Sequence, residues 1–231
     1  MPAEPYCRWP PLDPEMTADS TTDGTNGAPV SSDFIHLAQE QVQASMRVKQ
    51  GLIEDINTLQ VLGQVAWEVI RSLRAGGKVL LFGNGGSAAD AQHIAAELAG
   101  RYKLERGGLS VVALTVNTST LTAVANDYGY EHVFARQVQA LGRPGDVAVG
   151  ISTSGNAANV IGGLETAKAG GLISVAMTGR SGGKLKDRAQ YCLRIPSDET
   201  ARIQECHILI GHILCDFVER ELFGAKPSTQ L

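Results

Sequence analysis

Lys78-Val79-Leu80-Leu81-Phe82, the turn Gly83-Asn84-Gly85-Gly86-Ser87 and the helix-forming run 88–97 constrain the fold of this chain more than any other stretch. Five apolar or aliphatic-stemmed residues in a row read as a parallel strand covered on both faces, and the glycines let the backbone turn sharply and approach a ligand closely. Ser87 is in place to cap the helix that follows, whose free N–H groups and positive dipole end favour an anion such as phosphate. His93 and Glu97 stand at i and i+4 on that helix, so their side chains lie together one turn apart.

A second segment repeats the design. Asp146-Val147-Ala148-Val149-Gly150-Ile151 is another buried-strand pattern, and it runs into Ser152-Thr153-Ser154-Gly155-Asn156 ahead of a helix at 157–168. Three adjacent hydroxyls at a helix start can donate to phosphate oxygens together with backbone N–H groups, although one Ser or Asn would suffice as an ordinary cap. Strands at 78–83, 109–115, 146–151, 171–177 and 190–195 alternate with helical patterns near 87–99, 119–140, 156–169 and 182–188. That alternation predicts an α/β fold, a five-stranded parallel sheet flanked by helices with right-handed crossovers. Ligands bind at the carboxyl ends of such strands, where Asn84, Ser87, Ser152, Thr153 and Ser154 all stand. A dinucleotide site is the competing reading, but Gly83-Asn84-Gly85-Gly86-Ser87 does not complete GxGxxG and the chain has no GKS or GKT phosphate loop.

Residues 33–74 follow three- and four-residue apolar steps through Leu52, Ile56, Leu59, Leu62, Ala66, Val69 and Leu73, with Gly51 and Gly63 as expected breaks. So long a helical segment before the first strand exceeds what one sheet face needs and predicts an intersubunit helix bundle. Residues 1–32 hold six of the nine prolines among Ser, Thr, Asp and Gly, a composition expected to be disordered. The domain reading is therefore a tail at 1–32, one domain at 33–225 and a flexible end at 226–231.

Five segments taken together resemble one family. Gly83-Asn84-Gly85-Gly86-Ser87, Gly100-Arg101-Tyr102, Ala125-Asn126-Asp127, Ile151-Ser152-Thr153-Ser154-Gly155-Asn156 and Ala201-Arg202-Ile203-Gln204-Glu205 are similar, in order and spacing, to the sugar isomerase (SIS) domain, in its phosphoheptose isomerase branch. The resemblance runs from about Phe34 to Phe223. It implies conversion of D-sedoheptulose 7-phosphate to D-glycero-D-manno-heptose 7-phosphate by a cytoplasmic homotetramer. It further implies that Asn84, Gly85, Gly86, Ser87, Glu97, Asn126, Asp127, Ser152, Thr153, Ser154 and Gln204 bind substrate, and that His93, Glu97, Gln204 and His212 hold zinc. Such an isomerisation moves a proton between C1 and C2 through an enediol, with Glu97 as the base and His212 as the acid. On spacing alone His207, at i+3 from Gln204, is a neighbour that His212 is not, and its bland reading is a helix histidine packed at a subunit contact. Ala157 departs from the family's usual serine and removes one hydroxyl donor to phosphate. Two other readings stay open: a noncatalytic SIS regulator resembling replication-initiator-associating proteins, and an SIS isomerase of another phosphosugar.

Composition agrees with an enzyme subunit and narrows its partners. A formal net charge of −4 offers no general attraction to nucleic acid or an anionic membrane. No apolar run approaches the roughly 20 residues needed to cross a bilayer. Cys7, Cys192, Cys206 and Cys215 form no CxxC pair and are expected as reduced thiols in a cytoplasmic protein.

Overall fold

The computed structural model describes residues 32–224, so the end read at 226–231 and all of the tail read at 1–32 except Ser32, which begins a helix, lie outside the described residues. Contacts divide the chain at Glu40 and Gln41. In the first unit, residues 32–40 are helical and expose Phe34, Ile35 and Leu37.

Helix α1 (Ser32–Glu54) continues into that unit and is followed by α2 (Ile56–Arg74). The break falls at Asp55, not at Gly51 or Gly63 as the sequence suggested. The Asp55 carboxylate accepts from the Thr58 backbone N–H and hydroxyl, so it serves as the cap of a new helix. Those two hydrogen bonds hold its pKa below the ordinary carboxylate value.

The predicted sheet is present. Strands β1 (Val79–Gly83), β2 (Val111–Ala113), β3 (Val147–Ile151), β4 (Ile173–Thr178) and β5 (Tyr191–Arg194) are all parallel, in the order β2-β1-β3-β4-β5. Alternation along β1 divides its side chains between two cores. Val79 and Leu81 join the core beneath α2, α3 (Gly86–Ala99) and α7 (Thr200–Phe223), whereas Leu80 and Phe82 join the core beneath α5 (Val133–Leu141) and α6 (Ala158–Ala169). On the second face small residues let α6 come close. A Cβ at Gly163 would stand 2.7 Å from the Phe82 ring, and one at Gly150 2.8 Å from Val160.

Two predicted helices differ. The segment 119–140 is split into α4 (Thr118–Tyr128), a 3-10 turn (Tyr130–His132) and α5, because Gly129 takes φ 95°, a conformation in which an α-helix cannot continue. The pattern at 182–188 yields only a 3-10 turn, Leu185–Asp187, after Gly182 and Gly183 at φ 72° and 51°. Among the described residues no helix is long and apolar enough to cross a membrane.

Candidate functional site

The glycine turn ends β1 and opens α3. Gly85 is the N-cap, at φ 55° and without a side-chain cap, and Gly86 begins the helix, so Ser87 is a buried residue of the first turn and not the cap that its position suggested. The hydroxyl loop leaves β3 in the same way. Ser152 is buried, Thr153 half-buried and Ser154 exposed, and α6 starts from Ala157, again with no side-chain cap. Gly155, at φ 66°, packs on the backbone of Gly182 and Gly183, where a Cβ would come within 2.2 Å of a carbonyl oxygen. Asn156 fastens the loop by accepting from the Lys184 backbone N–H and donating to the Ser154 carbonyl.

These two turns and the start of α7 enclose a cleft of about 380 Å³. Its lining includes Gly85, Gly86, Ser87, Ser152, Thr153, Ser154, Thr200 and Gln204, with no lysine or arginine. Three helix N-termini meet here, and none has a side-chain cap. At α3 the Ser87 and Ala88 N–H groups already donate to the Asn84 and Gly85 carbonyls, so the positive potential for an anion comes from the three dipole ends and the remaining first-turn N–H groups.

Asn84 also lines this cleft, but its side chain is occupied. Its Nδ2 donates to Asn159 Oδ1 at 2.9 Å, and its Oδ1 accepts from Asn159 Nδ2 at 2.9 Å and from the Tyr130 hydroxyl at 3.0 Å. The amide thus joins the glycine turn, α6 and the corner after α4. Asn126 and Asp127 lie in the last turn of α4, not on a loop after it. Both are exposed, Asn126 Nδ2 donates to Asp127 Oδ1, and neither lines the cleft.

Helices α3 and α7 start at the carboxyl edge of the sheet and run side by side. Gly86 faces Gln204, Ile94 faces Gly211 and His93 faces His212, a nearly constant offset along both helices. A Cβ at Gly211 would stand 2.5 Å from Ile94 Cδ1, so the missing side chain is what brings the helices together. Two turns along this groove His93 Nε2 lies 3.0 Å from His212 Nε2 and 3.3 Å from Glu97 Oε1. One donor atom from each of the three residues falls within 4.8 Å of the others.

That donor set fits zinc. Bonds of about 2.0–2.1 Å in a tetrahedron place neighbouring donor atoms roughly 3.3 Å apart, close to the two short separations observed, and two imidazoles with one carboxylate leave a fourth position open. Gln204, the fourth expected ligand, lies with its amide over Gly86 and lines the cleft. His207 is elsewhere: it is fully buried, its Nε2 donates to the Thr178 carbonyl at 3.2 Å, and burial pushes its pKa down to about 4. It packs inside its own subunit's core, which replaces the subunit contact expected for it.

Sequence reasoning passed over several residues here. Tyr102 stacks on the His212 ring, with centroids 5.7 Å apart and planes 16° from parallel. Asn159 and Tyr130 hold Asn84. Asp90, one turn before His93, has its carboxyl raised to about 6 by burial, with His93 pulling the other way. Tyr102 had a signal, since it sits in Gly100-Arg101-Tyr102; a stacking partner 110 positions away had none.

The sequence matches the family model of the SIS domain over residues 45–179. A phosphoheptose isomerase of a Roseiflexus species is 53% identical over 193 residues, covering 84% of this chain and 97% of that protein. The chain belongs to the SIS-domain phosphoheptose isomerase family. Solved structures agree. The phosphoheptose isomerase of Neisseria gonorrhoeae is 47% identical with a TM-score of 0.72, covering 79% of this chain and 98% of that one. The Francisella tularensis phosphoheptose isomerase superposes with a TM-score of 0.77 at 36% identity, covering 83% and 100% respectively.

Proposed function

We propose that this chain is a phosphoheptose isomerase that converts D-sedoheptulose 7-phosphate to D-glycero-D-manno-heptose 7-phosphate. The observation that carries the reading is the groove between α3 and α7. Its uncapped end faces the hydroxyl loop, and His93 and His212 lie seven to eight residues further along, with Glu97 one helical turn beyond His93. At 1.5 Å per residue that is about 10–12 Å, the scale of a seven-carbon chain with a terminal phosphate. The phosphate sits on the helix N-termini and the Ser152, Thr153 and Ser154 hydroxyls, and C1 and C2 reach the cluster. Gly85 and Gly86 present backbone N–H groups, Ser87 borders them, and Gln204 orients the sugar between the two ends. Asn126 and Asp127 are assigned to the sugar hydroxyls on the resemblance.

The side chains of the cluster suit the proton transfers. Glu97 removes a proton from C1 while His212 protonates O2, which gives the enediol; return of the proton to C2 and loss of the O1 proton give the aldose. Zinc held by His93, Glu97, His212 and Gln204 would supply Lewis-acid polarisation of the sugar oxygens. An atom that ligated the metal would not be free to move a proton, so the roles of Glu97 and His212 would each need an atom that the metal left open. We also assign the chain to a cytoplasmic homotetramer. The apolar residues exposed on α1, α2 and α7, among them Ile53, Ile56, Trp67 and Phe217, support the subunit contacts that this requires.

Isomerisation of sedoheptulose 7-phosphate in D₂O, followed by NMR, tests the mechanism. Deuterium should enter C2 of the aldose, and Glu97→Gln should abolish conversion while retaining phosphate-ester binding by calorimetry. No conversion by the wild type would overturn the heptose assignment, and activity of Glu97→Gln within a few-fold of wild type would remove Glu97 as the base.

A further inference from the structure

The segment 100–107 between α3 and β2 has no regular secondary structure, yet it is held from both sides. The Glu219 carboxylate on α7 accepts three successive backbone N–H groups, from Tyr102, Lys103 and Leu104. It also accepts from Arg106 Nε at 2.9 Å, and both side chains are almost fully buried, at 1% and 2% exposure. The Arg106 guanidinium then turns back to the end of α3, donating to the carbonyls of Glu97, Leu98 and Gly100. Those are among the last carbonyls of the helix, which have no partner within it. One buried ion pair therefore ties the end of α3 that carries Glu97 to the α7 that carries His212.

The strap delivers one side chain to the cluster. Tyr102, whose N–H is the first that Glu219 accepts, lies flat against one face of His212, while His93 meets the same ring edge-on with centroids 5.1 Å apart. An imidazole with an open face can rotate about χ2, a broad torsion that intrinsic preference does not fix. A stacked ring removes that freedom, and here it does so in the orientation that aims Nε2 at His93.

We propose that Tyr102 is the positioning residue of His212, and that the Arg106–Glu219 pair is the latch that sets it. The proposal rests on the functional reading for its catalytic consequence but not for its geometry. Tyr102 touches neither substrate nor metal in this assignment; it acts through the ring it stacks on. Partners that orient a metal ligand typically alter metal affinity or activity by about 10–100-fold when removed.

The test compares full-length wild type, Tyr102→Leu, Tyr102→Phe and Glu219→Gln. Tyr102→Leu should weaken zinc binding, measured by competition with a chelator, and lower kcat, each by about tenfold, with KM within about twofold. Tyr102→Phe keeps the stack and should restore both values. In the metal-free protein, NMR of the His212 ring protons should show a downfield shift and broadening in Tyr102→Leu, as the ring current is lost and the ring samples more orientations. Glu219→Gln should reproduce the Tyr102→Leu pattern more weakly; if it does not fold, the Tyr102 pair still decides. A wild type that binds no zinc or isomerises nothing would overturn the functional reading, and the NMR comparison would still decide the positioning role. His212 resonances unchanged in Tyr102→Leu would overturn the proposal, as would a raised KM with unchanged kcat, which would make Tyr102 a substrate contact.

Discussion

Gly86→Ala should separate catalysis from stability. A Cβ on Gly86 would stand 2.3 Å from Gln204 Nε2, 2.9 Å from its Cδ and 3.2 Å from its Oε1, and no backbone atom is among these nearest neighbours. The obstruction is thus the far end of a flexible side chain, which yields by rotation. The backbone does not object, because Gly86 is a helical residue outside the set with positive φ. Alanine at a helical position gains up to about 1 kcal/mol over glycine, enough to offset the displaced amide, so the melting temperature should stay within a few degrees. Ordinary contact at 3.4 Å requires the Gln204 amide nitrogen to retreat by about 1.1 Å from its position at 2.3 Å. Misplacement of a substrate-orienting group by about 1 Å can reduce rate by roughly 100-fold, so kcat/KM for sedoheptulose 7-phosphate should fall by about that factor. Adding Gln204→Ala to Gly86→Ala should cause little further loss, because the first change has already removed what the second would remove. Thermal melting at fixed protein concentration and steady-state kinetics supply both readouts. Activity within threefold of wild type in a folded Gly86→Ala protein would show that Gln204 does not orient the substrate from over Gly86. Gly85→Ala is the counterpart: its φ of 55° is hard for any residue with a Cβ, so it should lose stability as well as activity.

The sheet was legible because its signal is local. Five apolar runs separated by helical patterns determine a parallel α/β fold, and β1, β3 and β4 stand within two residues of their expected ends. The helix ends were less legible, since each is decided by a contest between neighbours that periodicity does not register. Asp55 breaks the first segment through its hydrogen bonds to Thr58, and of the two expected breaks Gly51 remains inside α1 and Gly63, with nothing within 4 Å of a Cβ, remains inside α2. At the site, His93 and Glu97 could be paired from spacing because one helix carries both. His212 required the resemblance, since its proximity to His93 follows from the offset between α3 and α7, which Gly211 permits by its lack of a side chain. The hydrogen bonds of the Asn84 side chain were illegible for a similar reason. Its partners Asn159 and Tyr130 come from separate elements, and only their meeting shows that the amide is already engaged.

Three further outcomes are expected. Ser152→Ala combined with Ser154→Ala should raise KM for the sugar phosphate by tenfold or more, on the basis of about 1.5–3 kcal/mol for each hydrogen bond to a charged group, and an unchanged KM would place the phosphate elsewhere. Purified protein should carry about one zinc per subunit by elemental analysis, and His93→Ala should lose most of it; full retention would mean that the ligand set is wrong. The last concerns pH and the buried His207, whose pKa falls from 6.5 to about 4 because burial disfavours its charged form. The unfolded chain then binds a proton between those values that the folded chain refuses, so His207 contributes full stability above about pH 6.5 and loses it as pH falls towards 4. A shift of that size corresponds to roughly 3–4 kcal/mol at most. Asp90 works in the opposite direction across much of the same range, because its carboxyl is raised to about 6 and the folded state takes up a proton the unfolded chain does not hold. The pH profile of the wild type alone therefore cannot isolate either group, but a variant can. His207→Gln can keep a donor for the Thr178 carbonyl and has nothing to titrate, so its stability should decline less steeply than wild type between pH 6.5 and 4 in denaturation at matched protein concentration. Parallel curves across that interval would show that His207 does not stay neutral in the folded protein, and that acid loss of stability originates at another group.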